Sequence, residues 1–101
     1  MIWDLKETVD YMLDSDYKMR FVAEYWQTKI RYEKLKDFCN KIEAGNEWNL
    51  NGPIVTAPQH DCPVGMLRDQ QKAMGEYLHI LEVRAVLEHI DLELPWPSKD
   101  K

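Results

Sequence analysis

Proline is distributed very unevenly along this sequence, and its placement limits the folds that the chain can adopt. The five prolines lie at residues 53, 58, 63, 95 and 97, so residues 1–52 and 64–94 contain none. Proline breaks the interior of a helix, and long proline-free stretches with interleaved charged and apolar residues therefore predict helices. Between Gly45 and Pro63 the chain is rich in Gly, Pro and Asn, which predicts a loop.

Three helices are expected, at about residues 3–14, 16–44 and 63–94, joined by the loop 45–62. Residues 14–16, Asp-Ser-Asp, are N-cap types for the second helix, and Gly45 is a typical residue just beyond a helix end. Pro63 suits the first turn of the third helix, and Pro95 sets its latest end.

The two long helices each carry an apolar row spaced alternately by three and four residues, as in helices that pack lengthwise. The rows are Phe21, Tyr25, Thr28, Tyr32, Leu35, Cys39 and Ile42, and Leu67, Gln71, Met74, Leu78, Leu81 and Ala85. We predict an all-α fold: an antiparallel two-helix hairpin with a short N-terminal helix, forming one domain over 1–101. The hairpin register places Glu24 opposite Arg84, which we interpret as a structural ion pair. The alternative is that Arg84 contacts an anionic ligand.

A second apolar stripe on each long helix lies at the open end of this hairpin. The stripes are Met19, Val22, Trp26 and Ile30, and Ile80, Val83, Leu87, Ile90 and Leu94. They need a cover, which the N-terminal helix or a partner subunit can provide. Because one short helix covers too little apolar surface, we predict a homo-oligomer.

The loop is too long and too apolar for a simple linker, since it contains Trp48, Leu50, Ile54 and Val55. We expect it to fold back onto the hairpin or onto a neighbouring chain. Asn51-Gly52 predicts a tight turn within it.

Charge and composition exclude several classes of protein. The 13 basic and 18 acidic residues give a net charge of −5, which argues against a duplex nucleic-acid binder. No apolar run approaches the roughly 18 residues of a membrane span, and the first residues do not resemble a signal peptide. Two cysteines make no disulfide framework and favour a cytosolic chain.

Residues with catalytic or metal-binding chemistry are present without the partners that such sites need. His60-Asp61-Cys62 is not accompanied by the second ligand pair of a zinc site. Cys62 has no convincing base, and there is no glycine-rich phosphate loop. We therefore expect no metal, no cofactor, no catalytic residues and no enzymatic activity.

Basic and aromatic residues cluster at the start of the second helix. Tyr17, Lys18 and Arg20 combine cationic donors, a stacking plane and a helix N-terminus, a combination suited to an anion or a base. Arg68 and Arg84 are further candidates for ligand binding. The alternative is a solvated, charged helix face.

Two segments carry recognisable motifs. The first is Arg20-Phe21-Val22-Ala23-Glu24, followed by Lys34-Leu35 and Phe38. The second, over residues 68–84, has the pattern Arg-x-Gln-x-x-Ala-Met-x-x-Tyr-x-x-Ile-Leu-x-x-Arg. These motifs, within about residues 17–43 and 66–90, resemble a helical-hairpin family of phages and prophages, including crAss-like phages. They are similar to the oligomer-building hairpin of sponge proteins that counter CBASS and Thoeris immunity.

The resemblance implies a phage anti-defence protein in the cytoplasm of the infected bacterial host. It would bind and sequester a cyclic nucleotide-type immune signal without cleaving it, as a homo-oligomer, often of six chains in the proteins it resembles. A second hypothesis is an acidic protein-binding inhibitor or adaptor, of anti-CRISPR or host-takeover type, acting through Asp4, Glu7, Asp10, Asp14 and Asp16. A third is a virion or assembly component without a ligand.

Overall fold

A computed structural model of the chain describes residues 5–45, 48–49, 52–53 and 58–93. The described chain is all-helical in class, as predicted. A 3-10 helix, Leu5–Thr8, continues into α1, Val9–Met12, and is followed by the long helices α2, Tyr17–Gly45, and α3, Val64–Glu88.

Two short strands lie within the predicted loop. The strands β1, Trp48–Asn49, and β2, Gly52–Pro53, pair antiparallel with Trp48 opposite Pro53. Asn51, Leu50, Ile54 and Val55 lie outside the described residues, as does the side chain of Trp48. The predictions of a tight turn and of an apolar loop that folds back therefore stay predictions.

The start of α2 is fixed by the acidic residues that the sequence offered as caps. Asp16 Oδ1 accepts a hydrogen bond from the Lys18 amide at 2.9 Å, and the Asp16 carbonyl accepts from the amides of Met19 and Arg20. Asp14 Oδ1 in turn accepts from the Asp16 amide at 2.8 Å. These bonds satisfy amides that have no partner within the helix.

The third helix begins where predicted but ends at Glu88, before the expected residue 94. His89 adopts a left-handed φ of 58°, and the Ile90 amide donates to the Ala85 carbonyl at 2.8 Å. These two features, with the bond from the His89 amide to the Val86 carbonyl, form the Schellman termination of a helix. Residue 89 is neither glycine nor asparagine, so Pro95 was the stop that the sequence indicated.

The Cα positions divide the chain into two compact units. Unit 1 takes the described residues of Met1–Arg31 and Glu76–Lys101, and unit 2 takes those of Tyr32–Gly75. Most of the buried apolar side chains belong to unit 1: Tyr11, Phe21, Val22, Ala23, Tyr25, Trp26, Ile30, Leu78, Leu81, Ala85 and Ile90. The parts of the two predicted apolar rows that fall in this unit, Phe21, Tyr25 and Thr28 on α2 and Leu78, Leu81 and Ala85 on α3, are thus buried.

The second stripe of α2 is largely covered in unit 1, whereas three residues of the α3 stripe are exposed and Ile90 is buried. Gln27 Nε2 donates to Thr8 Oγ1 at 2.7 Å, and Trp26 Nε1 donates to the Leu92 carbonyl at 2.8 Å. The N-terminal helix and the segment after α3 therefore both contact α2 beside its stripe. In contrast, Ile80, Val83 and Leu87 are 54%, 45% and 71% exposed, so this part of the α3 stripe has no full cover among the described residues.

Unit 2 has a smaller buried set, with Cys39 and Ile42 fully buried. The two helices approach closely at Gly75, where an added Cβ would lie 3.3 Å from Tyr32 Cε1. A glycine inside a helix is destabilising by itself, so its presence here reflects the room that the tyrosine ring needs. The rings of Phe38 and His60 meet edge to face, with centroids 6.3 Å apart.

The left-handed residue after α3 yields a stability prediction. His89→Gly relieves the cost of a left-handed backbone and should raise the free energy of unfolding by about 0.5–1 kcal/mol. The matched control is Ala73→Gly at an exposed site inside α3, which should lower it by about 0.5–1 kcal/mol. Urea denaturation measures both, and a loss of stability in His89→Gly would contradict this helix end.

Candidate functional site

Aromatic and charged side chains gather in unit 1 where the start of α2 contacts the end of α3. Tyr17 Oη donates to Glu88 Oε1 at 2.8 Å, and Arg84 Nε donates to Glu88 Oε2 at 2.7 Å. The guanidinium carbon of Arg84 lies 4.8 Å from the centroid of the Phe21 ring. We call Tyr17, Phe21, Arg84 and Glu88 the Arg84 cluster.

The cluster contains a firmly ionised pair. Hydrogen bonds from Arg84 and then from Tyr17 lower the pKa of the Glu88 carboxyl, and the nearby Lys18 charge contributes to the same effect. The bond to Glu88 raises the pKa of Arg84, and it also raises the pKa of Tyr17 by stabilising the neutral phenol. At neutral pH the cluster therefore holds an anion, a cation and a phenol donor.

Arg84 has spare hydrogen-bonding capacity. Only its Nε has an acceptor among the described residues, so the N–H groups of both Nη atoms have none there. A guanidinium with two such nitrogens can grip two oxygens of a phosphate or a carboxylate. The buried Phe21 ring supports the guanidinium, which reduces the entropy lost when an anion binds.

Arg68, in unit 2, is fully engaged by contrast. Its Nε donates to Glu43 Oε2 at 2.9 Å, its Nη2 to Asn40 Oδ1 at 3.0 Å, and its Nη1 to Gln71 Oε1. Nη2 also lies 2.7 Å from Glu43 Oε1. The bond from Arg68 lowers the pKa of Glu43. These contacts join α2 and α3, and we call Arg68, Asn40, Glu43 and Gln71 the Arg68 clamp.

The other predicted binding residues lie at the start of α2. Arg20 Nη1 donates to the Asp14 carbonyl at 2.7 Å, which ties the first turn to the preceding segment. Lys18 has a half-buried side chain whose charge acts on Glu88. The structure thus brings together Tyr17, Lys18 and Arg84, while Arg20 and Arg68 have other partners.

The predicted ion pair between Glu24 and Arg84 is replaced by two other contacts. Arg84 pairs with Glu88, and Glu24 Oε2 accepts a hydrogen bond from Tyr77 Oη at 3.0 Å. The reason is the register: Arg84 lies over Phe21, about one helical turn nearer the start of α2 than predicted.

Sequence reasoning missed a set of three tyrosine–glutamate hydrogen bonds in unit 1. The pairs are Tyr17 with Glu88, Tyr25 with Glu82 at 2.7 Å, and Tyr77 with Glu24. The spacing of four residues between Arg84 and Glu88 is a local signal that could have pointed to their ion pair. The tyrosine partners depend on register, which a single sequence does not specify.

The described part of the chain offers neither a metal site nor a disulfide. No group of three His, Cys, Asp or Glu side chains there could hold a metal ion. His60 Nδ1 lies 2.7 Å from the Cys62 carbonyl, and neither Cys39 nor Cys62 forms a disulfide. None of the described helices is both long enough and apolar enough to cross a membrane.

Comparison with family models matches residues 15–87 to the family described as Sequestin. The chain belongs to the Sequestin family. The matched range includes all five predicted binding residues and ends one residue before Glu88. The family's name indicates the sequestering of a molecule. No curated protein and no solved structure matches the chain.

The tyrosine–glutamate bonds of this Sequestin make its stability sensitive to alkaline pH. Burial, and then the bond to Glu82, raise the pKa of Tyr25 above the ordinary value of 10.0. Above pH 10 the unfolded chain releases the Tyr25 proton while the folded chain keeps it. Stability should therefore fall as pH rises, by up to about 1.4 kcal/mol per pH unit from this residue.

The variant Tyr25→Phe should lose this contribution, so that its free energy of unfolding declines less steeply between pH 10 and 11.5. At pH 7 it should be less stable by about 0.5–1.5 kcal/mol because one hydrogen bond is removed. Glu82→Gln keeps the buried Tyr25 phenol but removes the carboxylate charge beside it. The free energy of unfolding of this variant should therefore decline with pH at an intermediate slope. Equal slopes in wild type and Tyr25→Phe would contradict the assignment.

Proposed function

We propose that this chain is a phage anti-defence protein that sequesters a small anionic nucleotide in the cytoplasm of the infected bacterial host. The nucleotide is of the cyclic type that carries immune signals, as in CBASS or Thoeris defence. The observation that carries the proposal is Arg84, a guanidinium held over an aromatic ring with both Nη atoms unengaged among the described residues. Membership of the Sequestin family supports it, since the name indicates sequestration.

The Arg84 cluster has the groups that a nucleotide needs. The Nη atoms of Arg84 suit phosphate oxygens, and Lys18 adds a second positive charge. The half-exposed ring of Tyr17 offers a plane on which a base can stack.

We infer binding without cleavage from the chemistry of these groups. The cluster consists of a phenol, a phenyl ring, a guanidinium and a carboxylate that is already bonded to two donors. A carboxylate whose pKa is lowered is a weak general base. Such a site favours tight ground-state binding over hydrolysis, and sequestration follows from binding alone.

We also propose that α2 and α3 pair as an antiparallel hairpin. The order of their contacts in unit 1 supports this arrangement, because Tyr17 bonds Glu88 whereas the later Glu24 bonds the earlier Tyr77. The same order holds within unit 2, because Arg68 bonds Asn40 and Glu43 whereas the later Gly75 lies beside the earlier Tyr32.

The exposed stripe of α3 supports the proposal of a homo-oligomer, often of six chains in the proteins that the sequence resembles. Ile80, Val83 and Leu87 are spaced as neighbours on one helix face. Arg84 is four residues after Ile80 and three before Leu87, so it borders this face. A second copy packed on the stripe would therefore lie beside the Arg84 cluster and could complete the ligand site.

The binding prediction concerns two arginines with different surroundings. Arg84→Ala should weaken the affinity for a cyclic nucleotide about 10- to 100-fold, because charge-assisted bonds to the anion are lost. Arg68→Ala should leave the affinity unchanged and lower the melting temperature. Arg31→Ala, whose Nε bonds only the Gln27 carbonyl, is the neutral control.

The measurement is a thermal-shift screen of cyclic di- and trinucleotides and cyclic ADP-ribose isomers, followed by calorimetry on the best ligand. Ligand recovered after heat denaturation of the complex should be chemically intact. Full affinity in Arg84→Ala would contradict the site, and cleaved ligand would contradict sequestration. If no nucleotide changes the melting temperature but a host protein raises it, the result would instead favour an acidic protein-binding inhibitor.

The oligomer prediction concerns the stripe of α3. The substitutions Val83→Glu and Leu87→Glu place carboxylates in the proposed contact and should reduce the particle mass in light scattering to that of one chain. Gln70→Glu, at an exposed position of the same helix, should leave the mass unchanged. A monomeric wild-type protein would contradict this proposal.

A further inference from the structure

We propose that Glu88 is an internal competitor for the anion site, and this proposal rests on the proposed function. In the unliganded protein its carboxylate occupies donors of Arg84 and Tyr17. A phosphate or pyrophosphate group of the ligand displaces it and takes over those donors.

The geometry is that of an occupied anion site. Each oxygen of the Glu88 carboxylate accepts from a different helix: Oε1 from Tyr17 of α2 and Oε2 from Arg84 of α3. A simple helical ion pair four residues apart involves one helix and gains no donor from another. A guanidinium fits carboxylate and phosphate oxygens alike, so the same donors suit either anion.

Glu88 is placed where it can leave without disturbing the core. It is the last residue of α3, its side chain is 28% exposed, and the left-handed His89 follows it. The side chain of Arg84 is 47% exposed, so water reaches both members of the pair. Exposed ion pairs of this kind are weakly held, which makes exchange for another anion feasible.

The rest of the cluster keeps its arrangement when Glu88 swings out. The ring of Phe21 is buried and continues to support the Arg84 guanidinium, so the donors stay oriented. The charge of Lys18, which now acts on Glu88, becomes available to the incoming phosphate. The exchanged carboxylate gains water in place of its two donors.

In a self-occupied site the measured association constant equals the intrinsic one multiplied by the fraction of molecules in which the site is open. If Glu88 leaves the site open in about a tenth to a third of the molecules, as a weakly held ion pair allows, removing its charge should strengthen binding about 3- to 10-fold. The effect also favours ligands with adjacent phosphates. A single carboxylate gains little by replacing Glu88, whereas a pyrophosphate brings more charge to the same donors.

The test compares wild type, Glu88→Gln and Glu88→Ala by calorimetry. The probes are the cyclic nucleotide with the largest thermal shift and inorganic pyrophosphate. Glu88→Gln retains acceptor and shape without the charge, and should bind both probes about 3- to 10-fold more tightly. Glu43→Gln is the matched control, because it removes the same charge from a carboxylate that also pairs with an arginine, and should bind as wild type does.

The outcomes separate this proposal from the proposed function. If wild type binds the nucleotide and Glu88→Gln binds it equally or more weakly, the competitor is rejected while sequestration stands. Weaker binding in Glu88→Ala as well would make Glu88 a positioning residue for Arg84. If neither wild type nor any variant binds either probe, both proposals fail.

Discussion

The packing of two aromatic rings of α2 against α3 fixes the rest of unit 1. Phe21 and Tyr25 are both buried, and burial of large aromatic side chains dominates the energetics of a small core. Arg84 lies over the first ring, and the hydroxyl of the second bonds Glu82. Because these rings set the register, they also decide that Arg84 meets Tyr17 and Glu88 instead of Glu24.

The chain shows how one side-chain chemistry serves two purposes. Arg68 finds acceptors for all three of its nitrogens within unit 2 and joins α2 to α3. Arg84 bonds through Nε alone among the described residues and is supported by the Phe21 ring. A satisfied guanidinium stabilises a fold, whereas a half-satisfied, oriented one is ready for an anion. The two arginines differ in their neighbouring residues. Their sequence motif does not distinguish them, since both belong to the motif over residues 68–84.

Local features were predictable from the sequence and register-dependent ones were not. The helix start at Asp16 and the end at Gly45 follow from capping chemistry, which involves only adjacent residues. A shift of about one turn leaves apolar residues on the same helix faces but changes their polar neighbours, so Arg84 pairs with Glu88 and Glu24 accepts a bond from Tyr77. Because of this difference in register, the tyrosine–glutamate hydrogen bonds were not predicted. The left-handed His89 carries no propensity signal, so the end of α3 was predicted too late.

The exposed apolar stripe and the Arg84 cluster border one another on α3. Helix α2 has its second stripe covered by contacts from Thr8 and from the segment around Leu92, whereas Ile80, Val83 and Leu87 have no comparable cover among the described residues. A protein that sequesters a small molecule gains affinity by enclosing it, because enclosure excludes water and adds contacts. A subunit junction beside a prepared guanidinium would supply such an enclosure.

In the proposed site Arg84, and not Arg68, contacts the anion. Arginine side-chain NMR tests it most directly, by following the Nε–Hε signals of the wild-type protein during titration with the bound cyclic nucleotide. Signals are assigned with Arg84→Lys and Arg68→Lys. The account predicts that the Arg84 signal shifts with saturation and that the Arg68 signal stays in place. A shift of Arg68 with an unchanged Arg84 signal would contradict it.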